Sequence, residues 1–224
     1  MRTPIRHSMF DSCVYDVAPG NVSSVFHCVN RDTKDTFIVM CGLTIVAKEG
    51  QEIERNELGE AEAAAALQEM SSIPYMIDFD IPVAKVVCGD MFAGLLTCEG
   101  TVFTWGYNNY GQLGLKQSAT RVVQRPNQIK FENKGKQMQV KDLCVGFNHG
   151  MALTDNNQVF VWGRRMGIYP NIELSFNFLT THARLLYMEN HQSEPRLLGN
   201  NLIFYKIKKL CAGPWNSALI TEQN

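Results

Sequence analysis

No stretch of this 224-residue sequence approaches the run of about 18 apolar residues that a membrane-crossing helix needs. The start, Met1 to Ser8, has two arginines and no apolar core, so no secretory signal is expected there. The expectation is an intracellular protein, cytoplasmic or associated with the cytoskeleton or an organelle, with the nucleus as the alternative. Seven cysteines are present, but the number is odd, no Cys-x-x-Cys pair occurs and the five histidines are scattered. That argues against a disulfide scaffold and a zinc site and for free thiols in a reducing compartment. Asn21-Val22-Ser23 fits a glycosylation sequon, which without secretion is a chance match. Gly-x-Ser-x-Gly, a phosphate loop, His-Glu-x-x-His and Gly-x-Gly-x-x-Gly are all missing. No catalytic residue, cofactor or metal is assigned, and the chain is expected not to be an enzyme.

What is present belongs to a folded protein: 45% of residues are hydrophobic and 10% aromatic. The net charge of −1 conceals an asymmetry, because residues 1–100 sum to −8 and residues 101–224 to +7. A nucleic-acid binder would more often be basic throughout with a concentrated stripe, so nucleic acid is a disfavoured partner. The densest basic run, Lys206-Ile207-Lys208-Lys209, reads as a solvated strand edge that discourages edge pairing. Docking of complementary ends is the sharper alternative.

An internal repeat organises the chain. Val87-Cys88-Gly89 leads to Trp105-Gly106 and Cys144-Val145-Gly146 leads to Trp162-Gly163, the first and second glycine standing 17 positions apart in both. Weaker copies open at Ala18-Pro19-Gly20 and Ala212-Gly213, and in the first Cys41-Gly42 stands where Trp-Gly would. The leading glycines, 20, 89, 146 and 213, are 69, 57 and 67 residues apart, a spacing that means an array of supersecondary units. Short runs of Val, Ile, Phe, Thr and Tyr are joined by Glu99-Gly100 or Asn156-Asn157, which accept the positive φ of a two-residue hairpin turn. Small antiparallel sheets with two apolar faces cover each other by radial repetition. The fold class expected is all-β: a partial or open β-propeller of three to four blades with one inserted helix. One domain, 1–224, is expected, with repeats beginning near 12, 84, 140 and 207.

The second copy continues Trp105-Gly106-Tyr107-Asn108-Asn109-Tyr110-Gly111-Gln112-Leu113-Gly114. Here the sequence resembles the regulator of chromosome condensation repeat, whose hallmark is Trp-Gly, Asn, then Gly-Gln-Leu-Gly. The resemblance is strong over 84–115 and 143–163, and degenerate elsewhere: Arg164-Arg165-Met166-Gly167 replaces the Gln-Leu run in the third copy. It implies a β-propeller, usually of about seven blades. It also implies a second activity, since the founding member exchanges nucleotide on the small GTPase Ran through loops on one face, some bearing histidine three residues after the leading glycine. In this chain only His149 matches, while Ser23, Phe92 and Asn216 stand at the equivalent places. Gly111 and Gly114, like Gly106, are expected in conformations that a Cβ disfavours.

Two inserts interrupt the pattern. Asn56 can cap an alanine-rich helix over 56–70, acidic in its first turns. The second insert, 167–200, is irregular and aromatic and is expected to fold back as extra strands of the third blade or to form a contact patch. The residues expected to meet partners are His149, Arg164, Arg165, Tyr169, Phe176, Phe178 and Trp215. The function expected is a non-catalytic interaction or scaffold module in a larger assembly, one partner covering the C-terminal blade edge. The alternative is an exchange factor for a Ran-like GTPase or a chromatin-docking protein.

Overall fold

The computed structural model of the chain describes residues 12–43, 70–115, 122–164, 183–185, 192–198 and 206–222. The elements among them are all strands, antiparallel to their neighbours. The first sheet is β1 (Ser12–Pro19), β2 (Ser23–Asn30), β3 (Thr36–Leu43) and β4 (Met70–Asp78) in chain order. The second is β5 (Val83–Cys88), β6 (Phe92–Thr97), β7 (Val102–Tyr107) and β8 (Val122–Ile129). A small hairpin, β9 (Glu132–Asn133) and β10 (Lys136–Gln137), leads to the third sheet. That sheet joins β11 (Val140–Val145), β12 (His149–Thr154) and β13 (Val159–Gly163) to β15 (Gln192–Leu197). The fourth runs β14 (Ala183–Leu185), β17 (Ser217–Thr221), β16 (Ile207–Ala212). These are the blades of a partial β-propeller.

The inserted helix lies outside the described residues except for its last position. That position, Met70, opens β4 and pairs with Leu43, so a helix through Met70 is corrected to a strand start. The aromatic insert divides its loyalty. β15 completes the third sheet as expected, but β14 pairs with β17 and so extends the fourth. In the fourth sheet β14 takes the edge of β17 where the other sheets place their own third strand.

The blades repeat in detail. Ser23 pairs with Gly42, Phe92 with Gly106 and His149 with Gly163, and all three glycines have positive φ, 100°, 114° and 99°. At each, a Cβ would run into the neighbouring strand one residue before the glycine's own partner, at Val22, Met91 or Asn148. Each inner strand also carries one unpaired extra residue: Tyr15, Ala84, Lys141 and Lys208. Such a bulge frees an amide next to it, and an aspartate collects two. Asp16 accepts from Val17 N (2.9 Å) and from Val86 N of the second sheet (3.0 Å). Asp142 accepts from Leu143 N (2.9 Å) and from Leu210 N of the fourth (3.1 Å). Lys85, at the same bulge register in the second sheet, reaches Asp142 Oδ1 at 2.8 Å.

Between sheets lie three apolar layers. Val25, Ile38 and Met40 meet Val86, Leu95 and Trp105; Val87, Val102 and Ile129 meet Leu143, Phe160 and Trp162; Met151, Leu153 and Val161 meet Ile207, Leu210 and Leu219. Each tryptophan is a key turned toward the preceding blade. Trp105 Nε1 donates to Met40 Sδ at 2.8 Å, and Trp162 Nε1 to the Gln112 carbonyl at 2.9 Å. Trp162 is fully buried and meets Phe131 edge-on at 5.6 Å. Its indole lies where a Cβ on Gly150 would be and 3.1 Å from one on Gly114.

Near the axis the leading glycines touch in series. Gly20 abuts the carbonyl of Gly89, Gly89 that of Gly146, and Gly146 that of Gly213. The amides beside them bond across the same gaps: Asn21 N to Gly89 O (3.3 Å), Asp90 N to Phe147 O (2.9 Å) and Phe147 N to Pro214 O (3.1 Å). Trp162→Ala is expected to cost about 3–5 kcal/mol, as truncation of a buried aromatic does, read by denaturant unfolding. Gly89→Ala should destabilise as well, because its methyl meets Phe92 and the Gly146 carbonyl, whereas Gly135→Ala, in open space but at positive φ, should cost only the backbone strain of about 1 kcal/mol. Equal midpoints for both glycine variants would refute the stacking.

Candidate protein-interaction face

Because strands one and three of each blade run the same way, the leading-glycine loops and the loops after Trp-Gly emerge at one end. The Gly-Gln-Leu-Gly run builds one of these by local chemistry. Gly111 and Gly114 hold φ of 74° and 67°. Asn108 accepts from Leu113 N through Oδ1 (3.1 Å), and Gln112 Oε1 accepts from Tyr110 N (2.9 Å). Leu113 is fully buried, and its carbonyl accepts from Thr104 Oγ1 at 2.7 Å. The turn is thus rigid, with Tyr110 carried at its tip, 38% exposed.

The loop is tied to the next blade. Gln112 Nε2 donates to Asn148 Oδ1 (3.2 Å), while the Asn148 carbonyl accepts from Arg164 N (2.7 Å). Half-buried Arg164 then lies over the Tyr110 ring at 4.5 Å, a cation–π contact that holds the guanidinium in place. Across the next boundary Phe147 meets Trp215 edge-on at 5.2 Å, with Trp215 59% exposed. Asn21 Nδ2 donates to Asp90 Oδ1 at 2.7 Å across the first. Every blade boundary on this face therefore carries a side-chain bridge.

His149 is placed elsewhere. Its side chain is 1% exposed, packs over Gly146 and pairs through Nε2 with Ser217 Oγ at 2.6 Å. Burial pushes its pKa down to about 4, with the Asn216 backbone pulling weakly the other way. It fastens the third blade to the fourth, and as a contact for a partner it is corrected to an interior residue. Phe92 and Asn216 cover Gly89 and Gly213 in the same manner. Of the other expected contacts, Arg164 and Trp215 stand on the loop face, and Arg165, Tyr169, Phe176 and Phe178 lie outside the described residues. Tyr110 and Phe147 were missed: only their partners across a boundary mark them, and no local pattern does. Among the described residues no group of three or more His, Cys, Asp or Glu is placed to hold a metal. Burial, then Asp142, pushes the Cys144 thiol up to about 12, so it is no nucleophile. No helix among the described residues is long and apolar enough to cross a membrane.

Comparison with known proteins agrees with this geometry. Family models described as "Regulator of chromosome condensation (RCC1) repeat" match residues 99–153 and, for a second model, 83–112. Within residues 83–153 the chain carries regulator of chromosome condensation repeats. It is similar to the ultraviolet-B receptor UVR8 of Arabidopsis thaliana, 33% identical over 36% of this chain and 18% of that protein. It is similar also to the serine/threonine-protein kinase Nek9 of Xenopus laevis, 28% identical over 67% of this chain and 15% of that protein. It thus spans less than a fifth of these relatives. Among solved structures, Prp20p of Saccharomyces cerevisiae superposes with a TM-score of 0.64 at 15% identity, over 93% of this chain and 43% of that one. The shared fold is the β-propeller.

A buried histidine of low pKa is protonated in the unfolded chain before the folded one. Stability is expected to be whole above pH 6.5 and to fall by about 2–3 kcal/mol as pH drops toward 4, read from unfolding midpoints. His149→Phe, the side chain that the second blade uses, should flatten that part of the profile. An unchanged slope would show that His149 does not supply it.

Proposed function

We propose that this chain is a non-catalytic interaction module, a scaffold or subunit of a larger intracellular assembly. The observation that carries the reading is the loop face, where half-buried Arg164 on exposed Tyr110 and exposed Trp215 on Phe147 are pre-positioned across blade boundaries. Arg, Tyr and Trp are the residue types that dominate binding hot spots, and a side chain held in place before binding loses less entropy when a partner arrives. The buried thiols of Cys28, Cys88 and Cys144 suit a reducing interior. Prp20p is described by its binding to Gsp1p and histones, and Nek9 is named a kinase; neither role passes to a chain that spans so little of them.

A second reading, nucleotide exchange on a Ran-like GTPase, is favoured only by that likeness. Against it stand one matching histidine in four repeats and the burial of that histidine. Release of a fluorescent nucleotide from Ran is expected to proceed at its spontaneous rate with this chain added. Acceleration that is lost in Arg164→Ala would establish the exchange reading instead. For the scaffold reading, Arg164→Ala with Trp215→Ala is expected to lose proteins that the native chain retains from cell extract while its unfolding midpoint stays within about 1 kcal/mol. Retention of the same set by the double variant would place the interaction elsewhere.

A further inference from the structure

Four contacts close a circuit between the second and third blades. Tyr110 N donates to Gln112 Oε1, Gln112 Nε2 to Asn148 Oδ1, and Arg164 N to the Asn148 carbonyl. The Arg164 guanidinium then comes back over the Tyr110 ring at 4.5 Å. The two side-chain amides of the circuit, Gln112 and Asn148, are 2% and 7% exposed and bond to each other, so they hold both ends of the stack at a fixed separation. Arg164 has a set position before any partner arrives.

The charge at that position is unanswered: among the described residues no carboxylate pairs with Arg164. A carboxylate does stand on the same face. Asp90 N donates to the carbonyl of Phe147, the residue before Asn148. Its Oδ1, however, accepts from Asn21 Nδ2 at 2.7 Å, which draws it toward the first blade, on the side opposite the third. Stacking occupies the flat side of a guanidinium and none of its in-plane N–H donors, which form a fork matched to the two oxygens of a carboxylate. Arg164 is also half-buried, and an anion that reaches a partly dehydrated cation feels a stronger field than at a fully hydrated one.

We propose that the loop face receives an acidic side chain of a partner protein, its carboxylate held by the Arg164 fork and an apolar neighbour of that acid resting on Phe147. The proposal rests on the reading of this face as an interaction surface and names the chemistry of the partner. A carboxylate fits the site better than a phosphate group does. A dianion is ordinarily gathered by a cluster of cations, whereas the described loops of this face supply one, Arg164, with the negative Asp90 on the other side of Phe147. The apolar neighbour follows from Phe147, a half-buried ring one residue from the Asn148 carbonyl that holds Arg164 N. Every group assigned to the acid and its neighbour belongs to the second and third blades.

Nuclear magnetic resonance of the full chain tests it, with the blocked peptides Leu-Glu-Leu, Leu-Gln-Leu and Leu-phosphoserine-Leu as probes. The Glu peptide is expected to shift the Arg164 Nε–H resonance to saturation, with the Tyr110 and Phe147 amides moving alongside. It should bind at least about tenfold more tightly than the Gln peptide, and less tightly as salt is added. Arg164→Lys should weaken that binding at least about tenfold on the amide signals, because an ammonium lacks the fork. Tyr110→Leu, which keeps the arginine and removes its ring, should weaken it too, and Lys136→Ala, on the β9–β10 hairpin, should change nothing. Saturation by the phosphoserine peptide at lower concentration, equal binding of the Gln peptide, or an Arg164 resonance indifferent to the Glu peptide would each overturn the proposal. The interaction reading is decided apart from it, by the proteins that Arg164→Ala with Trp215→Ala retains or loses.

Discussion

Everything in this array depends on how closely one backbone can approach the next at the axis. A Cβ at Gly89 would stand 2.8 Å from the Gly146 carbonyl and one at Gly146 2.5 Å from that of Gly213, so no residue other than glycine lets the inner strands meet. From that contact follow the cross-blade amide bonds and the small residues just before the glycines. Cys88 and Cys144 are buried there as compact apolar groups. A blade pinched at its inner edge is a wedge, and its wide end needs volume. Trp105 and Trp162, on the third strands, supply it. Narrow glycine and broad tryptophan are two ends of one geometric requirement.

The polar groups obey the same logic of covering what the geometry leaves open. A bulge on each inner strand turns the strand toward the axis but releases an amide, and the channel is lined by side chains that answer it. An aspartate with two oxygens can serve its own strand and its neighbour, which is how Asp16 and Asp142 couple blades without a buried unpaired charge. His149 and Ser217 make a neutral version of the same link, stable only where the imidazole keeps its proton off.

Much of this was legible in the chain itself. Glycine and tryptophan recur at fixed offsets because they meet local steric demands, and Gly100 and Asn157 turn with φ of 81° and 62° as tight hairpins require. The hallmark run could be read because its hydrogen bonds close within six residues, from Asn108 to Leu113. What could not be read is non-local. Which residue bulges is decided by the partner strand, not by Tyr15, Ala84, Lys141 or Lys208. The stacking of Arg164 on Tyr110 joins residues of different blades, and the partner that buries the His149 nitrogen, Ser217, comes from another repeat. The exchange of β14 from the third repeat to the fourth sheet leaves no mark on periodicity at all.

That exchange sets an order on events during synthesis. The first three blades gather their inner three strands from consecutive segments, so each can pair as soon as it leaves the ribosome. β14 emerges before β15, β16 and β17, yet its partner among the described residues is β17, more than thirty residues downstream. It must wait unpaired while the third sheet closes past it, and pairing over that separation is slow. Of these four blades the fourth is then the last to form and, resting on a three-residue strand, the first to open. An array built from equal repeats acquires a direction, with its most rigid part at the second and third blades and its labile margin at the fourth.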